Sequence, residues 1–224
     1  MSKLPRIARG FPVFTNTAKG GAMVVGRDFA WAHLPKTGGD ATWALFRCVP
    51  DLVVRAHSPD DPAKHRTFVE EGVAELRLVL NLRRLPSLAL SYVHHARNYG
   101  IPGAFPRGYR MTPAEAVAFD RPERALRRHL DRDRLDVHRW LRMEHLREDF
   151  LDFVGSLRPL HAREIERVRG VPTKPSMSYD HDPLRFFTSA DIERLYANNP
   201  TWARHELAVY GTLTLARAGS GGVC

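Results

Sequence analysis

An apolar stretch that runs straight into a lysine and two glycines constrains this chain more than any other feature. Residues 28 to 34, Asp28-Phe29-Ala30-Trp31-Ala32-His33-Leu34, read as a buried strand. Pro35-Lys36-Thr37-Gly38-Gly39 reads as a turn, and a helix follows over about 40 to 48. Strand, glycine turn and helix in that order surround one small volume with a lysine, a hydroxyl and bare backbone N–H groups. Such a volume suits a phosphate or a sulfate. The glycines let the backbone approach the anion, and the helix N-terminus adds positive potential. The lysine precedes the glycines, so the loop is not the Walker A pattern, in which the glycines come first.

A second stretch repeats the arrangement. Leu76-Arg77-Leu78-Val79-Leu80-Asn81-Leu82 reads as a buried strand over 76 to 82 that ends at Arg83-Arg84. A helix over 86 to 98 starts with Pro86 at a tolerated first-turn position. Leu85, Leu88, Ala89, Tyr92 and Ala96 make its apolar stripe, and Ser87, Ser91, His94 and Asn98 a polar one. Arg83 therefore stands at the carboxyl end of a strand, with Ser91 two turns into the next helix. Ligands of parallel α/β sheets bind at that edge, which Lys36 shares.

The remaining segments fit one domain over 1–224. Residues 1–27 read as an irregular or hairpin-like lead-in with a turn at Gly20-Gly21, and 28–98 as the anion-binding core. Within that core, Leu52 to Ala56 reads as a strand, Ser58 to Pro62 as a turn and 63 to 73 as a helix. A helical insertion spans 99–138, opening on a loop to residue 111. Thr112-Pro113-Ala114-Glu115 then has the capping-box pattern. A final strand at 139 to 146 and helices around a loop at 170 to 185 fill 139–217, and 218–224 is a frayed tail. Alternating strands and helices predict an α/β fold: a P-loop-like parallel sheet flanked by helices, with a helical C-terminal part.

Pro35-Lys36-Thr37-Gly38-Gly39 resembles the 5′-phosphosulfate loop of sulfotransferases that use 3′-phosphoadenosine 5′-phosphosulfate (PAPS), in the form found in carbohydrate and bacterial enzymes. Arg83 followed eight residues later by Ser91-Tyr92 resembles the 3′-phosphate motif of that family. Leu141-Arg142-Met143-Glu144-His145-Leu146 is similar to its later "R-Y-E-D-L" strand, and Phe186-Phe187-Thr188 through Tyr210-Gly211 to its closing helices. The resemblance covers roughly residues 28 to 211. It implies PAPS as sulfuryl donor, a hydroxyl of a carbohydrate or small molecule as acceptor, and no metal. Pro35, Lys36, Thr37, Gly38, Gly39, Thr42, Arg83 and Ser91 would bind the donor, and Lys36 would steady the departing phosphate. Trp43 is a candidate for stacking on adenine and equally a core residue. Where the family continues with Thr or Ser this chain has Asp40, expected to cap the helix, with Thr42 or Thr37 supplying the hydroxyl. The family's late Arg-Lys-Gly segment is absent, and Lys174 and Ser176 are its candidate substitutes.

An acceptor hydroxyl calls for a base, and histidine suits neutral pH. His57 resembles the "K-T-H-L-P" histidine of the phenol-type enzymes and His65 the "K-H-x-T" segment of the other branch, with Glu70 or Glu71 as alternatives. His94 and His95 are expected to shape the site or its entrance.

A net charge of +9 favours an anionic ligand. The dense run Arg121, Arg124, Arg127, Arg128, Arg132 and Arg134 is interleaved with Glu123, Asp131 and Asp133, which reads as a solvated helix face rather than a nucleic-acid stripe. The competing classes are a P-loop-like nucleotide-binding protein or kinase, and a basic module for nucleic acid or another polyanion. Two cysteines, Cys48 and Cys224, imply no disulfide framework, and Cys48 reads as a core thiol. With no apolar leader and no run long enough to span a membrane, the expected location is cytoplasmic.

Overall fold

The computed structural model describes residues 23–56, 66–132, 134–172 and 179–214. Among these, five strands form one sheet: β1 (Met23–Val25), β2 (Phe29–Ala32), β3 (Arg55–Ala56), β4 (Arg77–Leu82) and β5 (Arg139–Arg142), in the order β3-β1-β2-β4-β5. The sheet is mixed, which corrects the expected all-parallel arrangement. β2, β4 and β5 pair in parallel, but β1 pairs antiparallel with both β2 and β3. Four strands therefore run one way and β1 alone runs the other. β1 is three residues long, too short to show an alternating pattern, and it returns to β2 through Gly26-Arg27-Asp28. The carboxyl ends of β2, β3 and β4 share one edge despite the insertion.

Side-chain alternation along the strands builds two cores. Phe29 and Trp31 of β2 and Val79 of β4 face α1 (Gly39–Phe46), α5 (Leu146–Leu157) and α6 (Ala162–Gly170), packing with Phe46, Phe150, Phe153 and Val168. Cys48 is half-buried against this cluster, and its burial pushes the thiol pKa up. Ala30, Ala32, Leu78, Leu80 and Leu82 face the other way, onto α2 (Leu85–Tyr99), α3 (Pro113–Ala118), α4 (Arg121–His129), α7 (Ser189–Asn198) and α8 (Pro200–Tyr210). The predicted stripe of α2 is buried along its length. Thr112 and Glu115 form the expected capping box at the start of α3.

Several boundaries differ from expectation. Residues 52–54 join no strand: Pro50–Leu52 is a 3₁₀ turn, leaving only Arg55–Ala56 in the sheet. Residues 66–76 form turns rather than a helix, because Thr67 and Glu70 satisfy each other's backbone N–H groups and Gly72, at φ 67°, turns the chain. The insertion helices end at His129. The last strand stops at Arg142, whose N–H goes to Asp149 at 2.7 Å while its guanidinium grips the same carboxylate. The Gly20-Gly21 turn, the Ser58–Pro62 turn and the 218–224 tail lie outside the described residues. No described helix is long and apolar enough to cross a membrane.

Candidate functional site

Between β2 and α1 the chain takes two left-handed steps, at Lys36 (φ 67°) and Gly38 (φ 88°). Glycine adopts that conformation freely, whereas lysine does so at a cost of about 1–3 kcal/mol and only where its surroundings hold it. Here the holding group is Asn81, a single amide on the α1 side of β4. Its Nδ2 donates to the Thr37 carbonyl at 2.9 Å and to Thr42 Oγ1 at 2.6 Å, while its Oδ1 accepts from Trp31 Nε1 at 2.7 Å. Thr42 in turn donates to the Gly38 carbonyl at 3.2 Å, and the Thr37 hydroxyl to the Leu34 carbonyl at 2.8 Å. Trp31, Thr37, Thr42 and Asn81 are all 0% exposed, so no water can substitute for a lost bond. Gly38 is needed for its conformation and Gly39 for room: a Cβ on Gly38 would clash only with the movable Met143 thioether, but one on Gly39 would lie 2.1 Å from the His33 ring.

The helix that leaves this turn has Gly38 at its N-cap and no side-chain cap. Its first-turn N–H groups have no intrahelical acceptor and point toward the loop. Asp40 does not cap, contrary to expectation. It sits exposed within the first turn, where its charge suits the helix dipole.

Two cations frame the turn. Lys36 Nζ donates to His95 Nδ1 at 2.6 Å, bringing α2 against the loop. Arg83, just past β4, donates to the Lys36 carbonyl at 3.3 Å. Burial pulls the Lys36 pKa down to about 8, with Asp40 opposing and Arg83 assisting. Burial, and then the Lys36 charge, pull His95 down to about 4, so its ring is a neutral acceptor at neutral pH. Neither Lys36 nor Arg83 forms an ion pair among the described residues.

Arg84, the neighbour, is committed elsewhere. It pairs with Glu206 of α8 at 3.2 Å, bonds to Thr212 and lies over the Tyr210 ring at 4.1 Å. Glu206 is fully buried and also accepts from the Leu85 N–H at 2.8 Å and the Tyr196 hydroxyl at 2.7 Å. A carboxylate from the last helix thus caps α2. Trp202 Nε1 donates to the Arg83 carbonyl at 3.1 Å. These contacts fix the backbone on both sides of Arg83 while leaving its guanidinium at the loop.

Of the residues expected to bind the donor, Pro35, Lys36, Thr37, Gly38, Gly39 and Arg83 gather here. The hydroxyls of Thr37 and Thr42 point inward and organise the turn rather than face a ligand. Trp43 packs half-buried against the second core. Ser91 is 5% exposed, one turn before His95 on the same face of α2. The alternative carboxylates are both ion-paired: Glu70 with Arg128 at 2.7 Å, and Glu71 with Arg55 and Arg66 at 3.2 Å each. His57, His65, Lys174 and Ser176 lie outside the described residues.

Sequence reading passed over Asn81 and gave His95 only a place near the site. Asn81 carried a signal, as an uncharged polar side chain deep in an apolar strand. His95 carried a fainter one, falling four residues after Ser91. Comparison with protein-family models, with curated proteins and with solved structures finds no match.

Proposed function

We propose that this chain is a PAPS-dependent sulfotransferase, moving the sulfuryl group to a hydroxyl of a carbohydrate or small-molecule acceptor. One observation carries the reading. A desolvated lysine and a neighbouring arginine, neither ion-paired among the described residues, stand at the uncapped N-terminus of α1 at the carboxyl edge of the sheet. Such a group favours an anionic ligand with two separated charges. The motif resemblance then selects a nucleotide phosphorylated at both ends. Lys36 and the first-turn N–H groups of α1 would hold the 5′-phosphosulfate, and Arg83 the 3′-phosphate. The lysine acts as a point charge on the oxygen that leaves, and a histidine takes the acceptor's proton. The handling of donor charge is thus electrostatic and positional.

The test is calorimetric titration of 3′-phosphoadenosine 5′-phosphate (PAP), AMP and ATP into wild type, Lys36→Ala and Arg83→Ala at two salt concentrations. Preference for PAP is expected, with affinity falling about tenfold or more in each variant. Equal affinity for AMP and PAP would remove the 3′-phosphate assignment. Binding of nucleic acid with a steep salt dependence, indifferent to Lys36→Ala, would favour the polyanion-binding class instead.

A further inference from the structure

Lys36 and His95 meet at 2.6 Å, and that contact uses the ring's acceptor nitrogen, Nδ1. The adjacent histidine does not share the position: His94 stacks on Tyr179, centroids 4.0 Å apart. His95 alone of the pair faces the loop, with Tyr99 of its own helix 5.2 Å from its ring. Resting on the sulfotransferase reading, we infer that His95 is the proton acceptor of the transfer step, masked by Lys36 until the donor draws the lysine away. The acceptor oxygen forms a bond to sulfur while the bond from sulfur to the bridging oxygen breaks. The electron pair of the broken bond stays on the departing phosphate beside the Lys36 ammonium. The hydroxyl proton goes to His95 Nδ1.

The charges around the ring support this order of events. Among the described residues, the groups facing it are the Lys36 ammonium from the loop and Tyr99 from α2, while Arg83 and Asp40 act on it through Lys36. Without an anion, burial and the ammonium leave the imidazole too weakly basic to take a proton near pH 7. Once the ammonium pairs with phosphate, its charge no longer opposes protonation, and the lone pair is released. The ring's pKa then rises from about 4 by the share that the Lys36 charge had taken, while burial still holds it below the ordinary histidine range. Base strength thereby appears only when the nucleotide occupies the lysine.

Two measurements test this. In a histidine NMR titration of the wild type, the His95 resonance is expected to titrate near pH 4 alone and at a distinctly higher pH with saturating PAP. Consumption of PAPS at pH 7, with water as the accepting hydroxyl, is expected to fall about 10²-fold or more in His95→Gln. That variant keeps an oxygen to accept from Lys36, so PAP affinity should stay close to wild type, which a merely structural role would not predict. Equal PAPS consumption in wild type and His95→Gln overturns the inference. So does a His95 titration that PAP leaves unmoved, or a loss seen in His57→Ala or His65→Ala but absent in His95→Gln. Failure of the wild type to bind PAP at all would instead remove the donor reading, and with it this inference, before any histidine is changed.

Discussion

Lys36 holds a left-handed backbone, a half-buried ammonium and a hydrogen bond to a neutral ring at once. None of these is the resting preference of a lysine, and Asn81 is what makes the combination stable. Its amide is saturated by Trp31, Thr37 and Thr42, each sealed from solvent. Asn81→Leu keeps the volume but orphans an indole N–H and a carbonyl. The expected cost is about 2–4 kcal/mol in urea denaturation. Weaker PAP binding should accompany it, because the turn that aims Lys36 loses its tether. A stability loss under about 0.5 kcal/mol would mean that the loop is held by its glycines and not by the amide.

Two of the described helices are started by carboxylates from other helices. Glu206 of α8 caps α2, and Glu123 of α4 accepts the Thr201 and Trp202 N–H groups at 3.1 Å each, capping α8. Glu206→Leu removes the carboxylate opposite the Arg84 guanidinium and the acceptor of the Leu85 N–H. A loss of about 3–5 kcal/mol is expected in denaturant unfolding, and Glu206→Gln, which still accepts, should lose less. This explains what could be read from the chain beforehand. The stripe of α2 and the Thr112 capping box are local patterns, and both were legible. β1 has three residues and no pattern of its own, so its reversed direction was not. Arg83 and Arg84 look equivalent in sequence. Only the position of Glu206, more than a hundred residues later, decides which of them is tied down. The Lys36–His95 contact was hidden for the same reason, since it depends on how α2 crosses the loop.

At the scale of the molecule, the site makes stability depend on pH. His95 and Lys36 both have folded pKa values below their ordinary ones, about 4 and about 8. The unfolded chain therefore binds protons more readily in both windows. The His95 contribution is present above about pH 6.5 and is lost as pH falls toward 4; that of Lys36 is lost as pH falls from about 10.5 to 8. The stability difference between wild type and His95→Gln, read from urea midpoints, should shrink as pH drops from 7 to 4. A constant difference would show that the ring is not held neutral by its surroundings. Affinity for PAP should run the other way at high pH, falling by up to tenfold per unit above about 8 as Lys36 loses its proton.

The carboxylate that starts α2 lies 121 positions after the N–H it accepts. A chain emerging at about 5–20 residues per second needs roughly 6–24 s to cover that gap. During that interval the lysine loop and Arg83 already exist, but the clasp that fixes the start of α2 behind Arg83 does not. On the proposed sulfotransferase reading, competence to grip a doubly phosphorylated nucleotide is then acquired late in synthesis, when the last helix docks. A nascent chain carrying every anion-binding residue is expected to ignore the nucleotide until then.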